Sequence, residues 1–174
     1  MNKEYELILA EIRQVLDAVD AASADRFANA IASANRVFVA GCGRTGLMAR
    51  AFAMRVMHLG RTAFVAGETT APAIGKGDLL IVCSGKGAKE SLVSFMREAA
   101  RAGARCAAVT AEPASPVARL ANHVVVLPAG QSRQFGGSLF EQSLLIFLDG
   151  LVIRLAETGG ITHDLMKARH ANLE

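Results

Sequence analysis

Tryptophan is absent from this chain and tyrosine occurs once, which leaves almost no flat aromatic surface on which nucleic-acid bases could stack. Blocks of one charge are absent too. The 19 basic residues are spread along the chain among 16 acidic ones, so the net +3 forms no continuous basic stripe, and nucleic acid is not expected as a partner. The three cysteines, Cys42, Cys83 and Cys106, are odd in number, and no two of them have C-x-x-C spacing. Each lies in or just after an apolar run, which predicts buried thiols rather than a disulfide framework. No run of about 18 apolar residues is free of charge. The most apolar stretch, 144–156, is interrupted by Asp149 and Arg154, so no membrane span is expected. Residues 1–10 lack the basic, apolar and small-residue regions of an export signal, and a cytoplasmic location is the corresponding expectation. Repeats and low-complexity tracts are missing as well.

What remains is a 174-residue chain, about the size of one domain at roughly 100–200 residues each, and the whole of 1–174 is expected to form that domain. Apolar residues make up 52% of it and the mean hydropathy is +0.31. That richness excludes disorder and suggests strands buried on both faces, a subunit interface, or both. Helical spacing of apolar residues marks 2–19 and 24–34 as packing helices. From Arg36 onward, short β-branched runs at 36–40, 62–66, 78–83, 105–110 and 123–127 read as strands. Helices are expected at 47–59, 90–102, 116–121, 139–157 and 162–169. Alternating strands and helices define an α/β fold with a parallel sheet at 36–128 and C-terminal helices and tail at 138–174. Ligands of such folds bind beyond the carboxyl ends of the strands. A mildly basic chain of this kind suits an anionic metabolite.

Three segments carry candidate chemistry. Gly41-Cys42-Gly43-Arg44-Thr45-Gly46 follows the first strand, and its glycines let backbone amides approach an anion at the positive end of a helix. It matches G-x-G-x-x-G, and Glu68 follows the second strand where a dinucleotide fold keeps its ribose-binding acid. A dinucleotide-binding regulatory domain is therefore one reading of the loop, and a turn needed only for strand–helix packing is another. Ser84-Gly85-Lys86-Gly87-Ala88-Lys89 opens a second helix after the third strand. Lysine there opposes the helix dipole unless an anion is present, so the pair of loops suits a phosphorylated small molecule, while a solvated first turn is the other reading of this segment. The long loop 128–138, polar and glycine-rich, leads into Ser138-Leu139-Phe140-Glu141. Ser138 with Glu141 three residues later reads as a capping box. The same carboxylate, desolvated beside a pocket, is basic enough to take a proton from a carbon next to a carbonyl.

The histidines divide by context. His58 sits in an apolar helical pattern and His123 starts a strand, which makes both structural. His163 lies in the first turn of a short helix, and His170 lies in a polar tail expected to fray. None has metal-ligand spacing to another His or Cys, so no metal is expected.

Taken together, 41–46, the helix Ala51-Phe52-Ala53-Met54-Arg55-Val56-Met57-His58-Leu59-Gly60, Gly67-Glu68-Thr69-Thr70-Ala71-Pro72, Gly77-Asp78-Leu79-Leu80, 137–142 and the terminal Arg169-His170-Ala171-Asn172-Leu173-Glu174 resemble the 6-phospho-3-hexuloisomerases. These belong to the sugar-isomerase (SIS) domain proteins. The resemblance implies a three-layer sandwich with a five-stranded parallel sheet in flavodoxin-like winding. It also implies conversion of D-arabino-hex-3-ulose 6-phosphate to fructose 6-phosphate through an enediol, without a cofactor, in formaldehyde fixation by the ribulose monophosphate route or in reverse. By resemblance Glu141 is the base, His170 comes from a neighbouring subunit, and Gly43, Arg44, Thr45 and Ser84 face the sugar phosphate. A homotetramer with shared sites is implied, in keeping with more apolar positions on 139–157 and the N-terminal helix than one sheet can cover. The family pattern Ser-Gly-Ser-Gly-Glu-Thr is altered at its second Ser and its Thr to Lys86 and Lys89. These lysines either serve as point-charge phosphate ligands or mark a paralogue for a different phosphosugar, including a sensing module without catalysis.

Overall fold

Five short runs of apolar, largely β-branched residues can be buried on both faces only if helices cover each side of the sheet they form. The computed structural model, which describes residues 2–173, has this arrangement. Met1 and Glu174, the latter the last residue of the terminal segment quoted above, lie outside the described residues. The strands are β1 (Arg36–Ala40), β2 (Thr62–Val65), β3 (Leu79–Cys83), β4 (Arg105–Thr110) and β5 (His123–Val126). All pair in parallel in the order β2-β1-β3-β4-β5. This is the five-stranded, flavodoxin-like sheet that the resemblance implied.

Alternation along the strands splits the core into two layers. Val37, Val39, Leu79, Ile81, Ala107 and Val109 face one side. They pack beneath α1 (Lys3–Asp17), α2 (Ala21–Ala32), α3 (Gly43–His58) and α6 (Ser138–Thr158). Phe38, Ala40, Leu80, Val82, Cys106 and Ala108 face the other, beneath α4 (Glu90–Arg101) and α5 (Pro116–Leu120). A short α7 (His163–Ala168) follows α6. At the amino end of the sheet Arg36 clamps Asp78, donating from Nε at 3.0 Å and Nη2 at 2.6 Å, while the Gly75 amide donates at 2.9 Å. Burial pushes this carboxyl up, but the bonds from Arg36 and Gly75 outweigh it and hold Asp78 below its ordinary range.

In this strand order β1 leads outward to β2, whereas β3 leads the opposite way to β4. The chain thus diverges at the carboxyl ends of β1 and β3, and the crevice between diverging connections is where open α/β sheets bind ligands. Both glycine-containing loops emerge there, 41–46 from β1 and 84–89 from β3.

Most element ends agree with the sequence reading to within one or two residues, and two differences bear on function. First, α3 begins at Gly43 rather than at Leu47, so the last four of the six residues of the G-x-G-x-x-G segment form the first turn of the helix. Second, the tail is tied down rather than frayed at its start. Arg169 Nη1 donates to the His58 carbonyl at 2.9 Å, and His170 stacks on His58.

Candidate active site

The loop after β1 is compressed by design of its glycines. A Cβ on Gly46 would lie 2.6 Å from the Gly41 carbonyl oxygen, closer than any real contact, so strand and helix can meet here only without side chains. Gly43, at φ +57° with open space around it, supplies the left-handed turn that starts α3. Cys42 caps α3 without a side-chain hydrogen bond, which leaves the first-turn amides available to an anion. Packing is thus met at Gly46 and Gly41, and the turn at Gly43 leaves the anion reading open.

The loop after β3 is closed from within. Ser84 Oγ accepts from the Gly87 amide at 3.1 Å, and Thr110 Oγ1 and the Ala111 amide each donate at 3.0 Å to the Gly85 carbonyl. This leaves the Ser84 hydroxyl hydrogen to donate outward. Gly87, at φ +61°, leaves no room for a side chain beside Ser115. Lys89 occupies the cap of α4 and makes no capping bond with its side chain. The segment 84–89 thus holds a fixed backbone with two exposed ammonium groups at its rim.

Between the two loops lies a cleft of about 210 Å³ lined by Thr45, Ser84, Lys86 and Lys89, by Cys42 and Cys83, and by Gly137 and Phe140 of the α6 head. Beside it, Arg44 Nε donates to Glu141 Oε2 at 2.6 Å, with the Glu141 side chain only 14% exposed. The structure therefore gathers Gly43, Arg44, Thr45, Ser84, Lys86, Lys89 and Glu141 into one place from three separate parts of the chain. Phe140, which walls the cleft against Gly85, was not singled out by sequence; its burial in a helical pattern looked like ordinary core.

Three expectations change. Ser138 does not cap α6: its Oγ donates to the Phe135 carbonyl at 2.8 Å, Gly137 takes the cap position, and no side-chain capping bond forms. The capping-box reading of Glu141 thus fails, because the carboxylate is engaged with Arg44. Cys42 is exposed, since it lies one residue beyond the strand end and points into the cleft. Cys83 and Cys106 are buried as expected, and burial pushes the Cys83 thiol up to about 12. Glu68, which a dinucleotide reading needs for a ribose, is instead ion-paired with Arg50 on α3.

His170 is not brought to Glu141 within one chain. It stacks on buried His58 at the far end of α3, ring centroids 5.2 Å apart. That end is about 21 Å along the helix axis from Arg44, at ~1.5 Å per residue. His58 also approaches Arg55, Nη1 to Nδ1 being 3.4 Å. His123 is held below its ordinary value by burial and by Arg105 and Arg26, as suits a structural residue. Among the described residues no cluster of three or more His, Cys, Asp or Glu could hold a metal ion, and no helix is long and apolar enough to cross a membrane.

Residues 30–147, which span β1 to β5 and the head of α6, match the SIS domain. The chain belongs to the SIS domain family. Full-length relatives of this SIS domain include the 3-hexulose-6-phosphate isomerase of Mycobacterium gastri, 44% identical over 100% of this chain and 92% of the relative. The 3-hexulose-6-phosphate isomerase of Methylomonas aminofaciens is 35% identical over 100% of both chains. A solved SIS structure from Methanococcus jannaschii superposes with a TM-score of 0.91 at 30% identity, covering 99% of this chain and 100% of its own. That structure infers a molecular function of 3-hexulose-6-phosphate isomerase.

Proposed function

We propose that this chain is an isomerase interconverting D-arabino-hex-3-ulose 6-phosphate and fructose 6-phosphate, with residues 1–174 acting as one SIS domain. The observation that carries the reading is a half-buried carboxylate, Glu141, beside a cleft bounded by two helix-opening loops that carry Ser84, Thr45, Arg44 and two lysines. Full-length relatives of the same name support it.

In the direction of fructose 6-phosphate, Glu141 takes the proton from carbon 2 while oxygen 3 gains a proton, giving an enediol across carbons 2 and 3. The proton on oxygen 2 then leaves, the protonated Glu141 returns its proton to carbon 3, and the carbonyl ends on carbon 2. The two carbons exchange oxidation levels, so no external electron acceptor is consumed. The phosphate is held by the first-turn amides after Gly43, by Thr45 and Ser84, and by Lys86 and Lys89 as point charges. A substrate phosphate also competes for Arg44, and drawing that guanidinium toward the anion frees Glu141 for carbon 2. His170 of a neighbouring copy handles the proton on the sugar oxygens, in a homotetramer with shared sites. The reaction belongs to formaldehyde fixation by the ribulose monophosphate route, or its reverse, in the cytoplasm.

The test is direct. Purified chain and fructose 6-phosphate in deuterated water should exchange the proton at the carbon next to the carbonyl, and Glu141→Gln should abolish that exchange. Binding of fructose 6-phosphate without exchange by the natural chain would instead favour a phosphosugar-sensing module.

A further inference from the structure

Loop 128–137 connects β5 to the helix that carries Glu141, and it contains two successive glycines, Gly136 at φ +62° and Gly137. No side chain restricts the backbone at either, and a Cβ on Gly136 would meet nothing within 4 Å. Leu139 and Phe140 bury one side of the first turn that follows, and the hold on the loop before this hinge sets how the rest of it is aimed. One holder of the loop is on the other side of the chain, in α1. Glu11 Oε2 accepts from Ser132 Oγ at 2.7 Å and Gln134 Nε2 at 2.9 Å, while Oε1 accepts from the Arg133 amide at 3.1 Å. Ser132 Oγ accepts in turn from the Gln134 amide at 2.9 Å.

From Gln134 the connection to the site is short. The neighbouring Phe135 carbonyl accepts from Ser138 Oγ at 2.8 Å, and the Glu141 amide donates to Gly137 at 3.0 Å one turn later. We infer that Glu11 is a positioning residue for the isomerase reaction, its carboxylate gathering three loop donors so that the head of α6 aims Glu141 at the cleft. The inference rests on the isomerase reading above.

Two further features fit it. The bonds from Gln134, the Arg133 amide and Ser132 hold the Glu11 carboxyl below its ordinary value, so it remains an acceptor on both oxygens at neutral pH. The rest of α1 meets the loop across a cleft of about 390 Å³ lined by Gln14, Val15, Ala18, Pro128 and Gln131, so the loop is not packed rigidly against the helix. Those three bonds are the specific tie across that gap.

Glu11→Gln tests this, because it preserves shape and packing but turns one acceptor into a donor facing other donors. Its kcat for fructose 6-phosphate isomerisation should fall about tenfold or more, the scale of a misaimed catalytic group. KM should stay within about twofold of the parent, because the phosphate-binding loops 41–46 and 84–89 are untouched. Tryptic cleavage after Arg133, followed by mass spectrometry, should accelerate at least about tenfold as the loop is released. The double change Ser132→Ala with Gln134→Ala removes two of the three bonds from the loop side, leaving the Arg133 amide, and should shift both measurements in the same direction, which covers the case of a poorly folding Glu11 variant. Faster cleavage with unchanged kcat, a fall in kcat without faster cleavage, or no change in either would each overturn the inference. Inactive parent protein would overturn the isomerase reading, and with it the catalytic role, while the cleavage rates would still report whether Glu11 holds the loop.

Discussion

A carboxylate at the head of α6 can lose its charge without losing its shape, which makes Glu141→Gln informative. The amide oxygen still accepts from Arg44, and no capping bond depends on the residue, so stability should stay within about 0.5 kcal/mol of the parent. Turnover should drop about a hundredfold or more, the usual share of a general base. A thermal melt together with an isomerisation assay checks both. Lys86 and Lys89 invite a different comparison, since they stand at the rim of the cleft at positions where the family pattern implied by the resemblance has hydroxyls. Lys86→Ala or Lys89→Ala should weaken phosphosugar binding by about 1.5–3 kcal/mol, and added salt should weaken it in the parent. If Lys86→Ser with Lys89→Thr binds fructose 6-phosphate much better than the parent, the loop serves another phosphosugar. Asp78 allows a pH test. Its folded value lies below its unfolded value, ordinarily 3.8, so its contribution is complete above that value and is lost as pH falls through the folded one. Asp78→Asn should therefore cost stability at pH 7, because the two bonds from Arg36 lose their charged acceptor while only the one to the Ala73 carbonyl is unaffected. Melts repeated at lower pH should show the gap to the parent closing below about pH 4.

At the scale of elements, the strands were legible because residues buried on both faces leave unbroken apolar runs, as in Leu79–Cys83. The start of α3 was not. A letter match to a glycine fingerprint says that the backbone turns tightly but not where helical bonding begins, and Gly43 begins it three residues before Gly46 packs on Gly41. Ser138 was misleading for a related reason: its hydroxyl has a choice of partners, and the Phe135 carbonyl wins. Side-chain pairs between distant elements, Arg44 with Glu141 and Glu11 with 132–134, leave no local trace, because each residue alone looks like an ordinary exposed charge. The tight turn makes a contrast that can be measured. Gly46→Ala should destabilise the fold by about 1–3 kcal/mol, as overpacking does, whereas Gly130→Ala, with open space around it, should fall within about 0.5 kcal/mol. Chemical denaturation of the two variants decides it.

For the whole molecule, the helices covering one face of the sheet retain large exposed apolar residues: Tyr5 and Leu9 on α1, Leu47 and Met54 on α3, Ile146 and Ile153 on α6. That surface is what an assembly would cover, and under the proposed roles an assembly would also bring together the His170 and Glu141 that one chain keeps apart. Light scattering should report a homotetramer. Glu141→Gln and His170→Ala chains, each inactive alone, should regain activity when they are dissociated and reassembled together, with about a quarter of randomly mixed sites intact. No recovery in mixed assemblies, or full activity in a monomer, would remove the shared-site proposal.

The switch-point crevice has a consequence for the timing of synthesis. The loops 41–46 and 84–89 follow strands in the first half of the chain, whereas Glu141 rides on a helix that starts at Ser138. A growing chain therefore makes both loops some fifty residues before it makes Glu141. The parallel strands themselves close only through contacts distant in sequence, and such pairings are slow to form. On the proposed roles, the residues that bind the phosphate are thus synthesised before those that move the protons, Glu141 and then His170.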